Sequence, residues 1–171
     1  MTITAMETHT LSTAGGNIVP GVSVFGQGSG TAKGGSPKAR VASYKVCWDV
    51  LVNDDRCYDA DVLEAFDAAI HDGVDVLSLS LGRANSNFFN DGQAIGSFHA
   101  AKNGIVVVCS AGNGGPFDAT GLNLAPWYIT VGASTMDREF PSYVVLGNGL
   151  SFKVCLFLDH KAMIYVQLFF W

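Results

Sequence analysis

Apolar positions recur along this chain in three rhythms, and each predicts a different element. Period-two alternation over residues 40–48 (RVASYKVCW) predicts a strand. Over the next segment Val62, Phe66, Ala69 and Ile70 fall on one face at helical spacing. There Asp61 and Glu64 stand in capping-box spacing, and Gly73 supplies a C-terminal stop. Residues 74–81 (VDVLSLSL) predict another strand, ending at Gly82. A second helix is expected over 93–102, with Ile95, Phe98 and Ala101 as its buried face and Asn103-Gly104 as its stop. Ile105 to Cys109 is a continuous, β-branched run, the pattern of a strand buried on both faces. Residues 128–131 (YITV) make one more short strand. Strand, helix, strand, helix, strand requires crossover connections, so the chain is expected to be an α/β layered fold around a parallel sheet.

The flanking segments are less regular. Residues 9–16 (HTLSTAGG) read as one or two helical turns ending at glycines. Residues 26–35 (GQGSGTAKGG) are dense in glycine and invite a phosphate-loop reading. That reading fails, because Lys33 precedes Gly34 and the chain continues through Pro37 into a strand, so a flexible surface loop is expected. Residues 50–57 read as a polar loop, and 83–90 as a loop rich in Asn and Ser. Residues 144–153 predict a hairpin around Gly147-Asn148-Gly149. The tail, 154–171, is apolar and aromatic, broken only by Asp159-His160-Lys161, and as an exposed segment it would promote aggregation.

Composition narrows the function classes. A chain of 171 residues, 49% hydrophobic and 15% charged, has room for one domain with a proper core. A net charge of -5 with no local Lys/Arg cluster argues against a nucleic-acid partner. No signal peptide opens the sequence, and no apolar stretch reaches the length of a membrane span. The four cysteines lack C-x-x-C spacing and the four histidines are scattered, so no metal or other cofactor is expected. Cys47 and Cys57 flank the polar loop at 50–57, where a local disulfide and two free thiols both remain open.

The chemistry concentrates at 104–116, where the apolar strand runs into Ser110-Ala111-Gly112-Asn113-Gly114-Gly115-Pro116. In an open parallel sheet, ligands bind just beyond the carboxyl ends of the strands. An Asn on a tight loop there can aim its amide N–H at a developing oxyanion. It can equally be a turn residue bonded to its own backbone.

The runs YKVCW (44–48), DADVLEAFDAAIHDGVDVLSLSLG (59–82), AIGSFHAAKNGIVVVCSAGNGGP (94–116) and APWYITVGASTMDREFPSYVVLGNG (125–149) decide between them. Together they resemble plant subtilisin-like serine proteases over residues 9–153. The resemblance implies a three-layer, parallel-sheet subtilisin-like fold, present here in part. It implies that Asn113 is the oxyanion-hole asparagine. It further implies that Ser80-Leu81-Gly82 pairs with an extended peptide substrate, and that Ser110-Ala111-Gly112 walls the pocket for the side chain before the scissile bond.

The departures from the family matter as much. Subtilases need a Ser nucleophile, a His base and an Asp that orients it. The family's Gly-His-Gly-Thr-His-Thr survives here only as Thr8-His9-Thr10, so Met6 stands at the position of the catalytic His. The triad Asp is expected upstream of this sequence. The nucleophile's Gly-Thr-Ser-Met motif does not occur in it. Residues 1–8 and 154–171 therefore fall outside the family pattern, as a shifted reading frame or translated intron would. The expected function is that of a fragment of a serine endopeptidase, inactive as written, taking a peptide or protein substrate, with its oligomeric state open. Two other classes compete with it: a peptide-binding pseudoenzyme, and a nucleotide-binding α/β domain, which lacks the Gly-rich turn between strand and helix. Family members are usually secreted.

Overall fold

The computed structural model describes residues 5–51, 54–82, 87–136 and 138–155. Two compact units divide the chain. One comprises Met1–Leu11 with Arg40–Thr135, and the other Ser12–Ala39 with Met136–Trp171.

The first unit is built on a three-stranded parallel sheet. β5 (Val76–Leu79), β6 (Val106–Ser110) and β7 (Ile129–Val131) lie in that order. Val76 faces Val106 and Leu79 faces Cys109, while Val108 faces Ile129 and Ser110 faces Val131. Parallel neighbours need crossovers. Helix α3 (Gly92–Lys102) supplies the one between β5 and β6. Helix α2 (Asp59–Asp72) precedes β5 and packs on α3. The core lies between helices and sheet: Val62, Phe66, Ala100, Ile105, Val107 and Cys109 are buried, with Leu77, Leu79 and Tyr128 packed against them. The expected parallel α/β sheet is thus present.

Its details correct the sequence reading in several places. Residues 40–46 do not join the sheet. Val46 packs against the core, but strand structure begins only with β3 (Cys47–Leu51). β3 pairs antiparallel with β4 (Asp54–Cys57), so the described residues of the expected polar loop at 50–57 are paired strand, while 52–53 lie outside the described residues. Cys47 and Cys57 face each other across this pairing and form a disulfide, with their Cα atoms 4.1 Å apart. Strand β6 is buried on one face only. Val107 and Cys109 turn inward, whereas Val106 is half exposed on the opposite face.

Helix α2 buries the face expected of it, and Gly73 caps it in the left-handed region (φ 69°), where a Cβ would be strained. The capping box at Asp61 and Glu64 is not its start. The N-cap is Tyr58, so Asp61 already sits in the first turn, where its charge favours the helix dipole. Helix α3 is the clearest reversal. Phe98 is 48% exposed, and the buried positions are Gly92, Gln93, Ala94, Gly96, Ser97 and Ala100. Small residues win because α2 comes so close: a Cβ at Gly96 would lie 2.2 Å from Phe66 Cδ2, and one at Gly92 3.0 Å from Asp59. Phe98 instead meets Trp127 edge to face, 5.3 Å between ring centres.

Helix α1 (Ala5–Gly15) is longer than the one or two turns expected from 9–16. In the second unit, β1 (Val19–Val24) and β2 (Gln27–Ala32) form an antiparallel hairpin turning at Phe25-Gly26. The glycine-dense 26–35 is therefore largely strand rather than flexible loop. Its end is also held: Gly34, Gly35 and Ser36 donate N–H groups to the carbonyls of Gly16, Thr13 and Ala14, satisfying the last turn of α1. β8 (Pro141–Val145) and β9 (Ser151–Cys155) form the expected second hairpin, turning through 147–149. The expected tail begins inside β9, and its residues 156–171 lie outside the described residues, as do 83–86 of the loop at 83–90.

Candidate active site

Two loops leave the carboxyl ends of β5 and β6 side by side. Ser80, Leu81 and Gly82 follow β5, while Ser110 ends β6 and Ala111, Gly112 and Asn113 follow it. The structure joins these two arms through a third segment, 121–124, which falls between the runs quoted above.

Asn123 is the joint. Its side-chain amide donates to Leu81 O at 2.7 Å and to Ser110 O at 2.8 Å. Its Oδ1 accepts from Gln93 Nε2 at 3.1 Å, and its carbonyl accepts from Thr130 Oγ1. The residue is 6% exposed and sits at φ 55°, a left-handed conformation that Asn tolerates better than other side chains. Ser110 Oγ adds a 3.4 Å bond to Leu81 O. The segment is also held from below, since Leu122 N–H donates to Ala111 O at 2.9 Å and Ala111 N–H donates to Val131 O at 2.8 Å.

Gln93, 4% exposed, is positioned by the start of α3. Asp91 caps that helix, its carboxylate accepting from Gln93 N at 2.9 Å and Ala94 N at 3.3 Å. These bonds satisfy the first N–H groups of the helix and account for a nearly buried acid there. Gln93 Nε2 also reaches Cys109 Sγ at 3.5 Å. Burial pushes the Cys109 thiol up to about 11, and burial likewise raises the Tyr128 phenol. Trp127 Nε1 donates to Ala94 O and Ser97 Oγ, both at 3.0 Å, which closes the far side of the network.

The predicted site residues thus fall into groups. Leu81 and Ser110 are drawn together by Asn123, with Ser80, Gly82, Ala111 and Gly112 beside them. Asn113 follows Gly112, which takes φ 85°, and its side chain is exposed. Met6 lies in the first turn of α1. Among the described residues no cluster of His, Cys, Asp or Glu is arranged to hold a metal ion. None of the helices among them is long and apolar enough to cross a membrane.

Comparison of the sequence with known proteins points to one family. The subtilase family model matches residues 5–158. The subtilisin-like protease SBT5.3 of Arabidopsis thaliana is 72% identical over 145 residues, covering 85% of this chain and 19% of that protein. SBT5.4 of the same plant is 66% identical, covering 85% of this chain and 18% of that protein. A Glycine max subtilisin-like protease, Glyma18g48580, is 53% identical, covering 89% and 20%. The chain belongs to the subtilase family, a family of serine endopeptidases acting on proteins. It spans about a fifth of the length of these relatives.

Proposed function

We propose that this chain is a fragment of a serine endopeptidase, supplying the oxyanion-hole loop and one side of the peptide cleft. The observation that carries the reading is the junction of the two arms by Asn123 at the carboxyl ends of adjacent parallel strands. Such an end is where an open α/β sheet binds its ligand. With Leu81 O turned inward onto Asn123, the alternation of an extended chain points the carbonyls of Ser80 and Gly82 outward, toward an added peptide strand. Ser110, Ala111 and Gly112 then wall the pocket for the side chain before the scissile bond. Asn113, exposed on the loop beyond them, is on this reading the donor to the oxyanion, a role its surface position supports. On this reading residues 9–153 carry the peptidase part, within the 5–158 that the family model matches, and the parent protease is secreted.

The chain as written does not cleave, because Met6 has no proton-accepting nitrogen where the family motif has its His, and no Gly-Thr-Ser-Met nucleophile motif is present. Incubating the purified chain with a fluorogenic peptide tests this. No turnover above the uncatalysed rate is expected, and turnover stopped by a serine-directed fluorophosphonate would contradict it. The pseudoenzyme reading is separated by binding without turnover in the cell's own form of the protein.

A further inference from the structure

Leu122 stands between the two glycines that line the arms. A Cβ at Gly82 would lie 2.9 Å from Leu122 Cδ1, and one at Gly112 would lie 2.8 Å from both its Cγ and its Cδ1. One leucine side chain therefore touches both backbones and fills the space that opens between them. The main chain that carries it is held in place. Its N–H is bonded to Ala111 O, and the next residue is fixed by the Asn123 bonds to Leu81 O and Ser110 O.

We propose that Leu122 is a specificity-determining wedge that forms the floor of the side-chain pocket between Gly82 and Gly112 and keeps that pocket shallow. The proposal rests on the peptide-cleft reading above and deepens it by naming the substrate class: extended peptides whose side chain at this position is small, alanine or serine in size. The glycines give the pocket its width. The leucine takes away its depth. A side chain with atoms beyond Cβ meets Leu122 Cδ1, on a residue whose main chain is anchored at Ala111 O and whose neighbour is held by the Asn123 bonds. A methylene gained or lost in an apolar pocket changes discrimination by roughly tenfold or more, so a floor of this kind is enough to rank substrates.

The test is a titration of the isotope-labelled chain with acetyl-Ala-Ala-X-amide peptides, X being alanine, leucine or phenylalanine, read by amide shifts. The unmodified chain is expected to bind the alanine peptide about tenfold more tightly than the leucine peptide, and the phenylalanine peptide least. Leu122→Ala removes Cγ, Cδ1 and Cδ2, the volume that a leucine probe would occupy. It is expected to gain about tenfold for the leucine peptide while changing the alanine peptide by less than about threefold. Leu122→Met conserves volume and is expected to keep the original ranking. Should Leu122→Ala fail to fold, Leu122→Val shortens the wedge by one carbon and is expected to move the ranking the same way by about threefold. Peptide binding with a ranking unchanged in Leu122→Ala and Leu122→Val overturns the wedge and leaves the cleft standing. Binding of none of the three peptides to the unmodified chain overturns both.

Discussion

Phe66 on α2 lies so close to Gly96 on α3 that a Cβ at residue 96 would be 2.2 Å from Phe66 Cδ2. The ring is buried, so it has nowhere to go. In an open helix, replacing Gly by Ala stabilises by about 1 kcal/mol. Here overpacking, typically about 1–3 kcal/mol, opposes that gain, and the sub-van-der-Waals distance puts the cost at the upper end. Gly96→Ala is therefore expected to destabilise the chain by about 2 kcal/mol in urea denaturation. Phe66→Leu in the same chain is expected to recover part of the loss.

This contact also explains what the sequence reading could see. Periodicity found α2 and its buried face, because Val62, Phe66 and Ala69 are large enough or regular enough to mark a stripe. It misjudged α3 because hydrophobicity pointed to Phe98, whereas the inward face was chosen by how closely two helices approach. The signal was present in Gly92 and Gly96, and in Gln93, Ser97 and Ala100 at i, i+4 and i+7. Family motifs led to Leu81, Ser110 and Asn113. Asn123 carries no such local mark: it lies in an irregular stretch, and its partners are 42, 30 and 13 residues away. Only tertiary structure reveals that role.

The Gln93–Asn123 bond makes a measurable coupling. Asn123→Ala takes its bond from Ser110 O and the shorter of two bonds from Leu81 O and from Gln93 Nε2, which keep only the long contacts to Ser110 Oγ and Cys109 Sγ, at about 1–3 kcal/mol for a buried group left unsatisfied. The single change is expected to destabilise by about 3 kcal/mol. In a double-mutant cycle with Gln93→Ala, the two losses are expected to fall short of additive by about 1 kcal/mol. Additive losses would show that the two side chains act separately.

Cys109 gives a prediction in pH. Its thiol is raised from an ordinary value of 9.0 to about 11, chiefly by burial. The unfolded chain therefore loses its proton first as pH climbs. The contribution to stability is complete below about pH 9 and is lost as pH rises from there through about 11. In a Cys155→Ser background, iodoacetamide at pH 8 is expected to label Cys109 at least about 100-fold more slowly in the folded chain than in urea, since the thiolate fraction differs by that factor. Comparable rates would show that the thiol is neither buried nor shifted.

The central claim is that an extended peptide adds along residues 80–82, against the wall at 110–112. Amide hydrogen exchange of the unmodified chain, with and without saturating acetyl-Ala-Ala-Ala-amide, tests it most directly. The account predicts slower exchange confined to residues 80–82 and 111–113, with α2 unchanged. Slowed exchange over α2, or no change at either arm with the peptide bound, would contradict it.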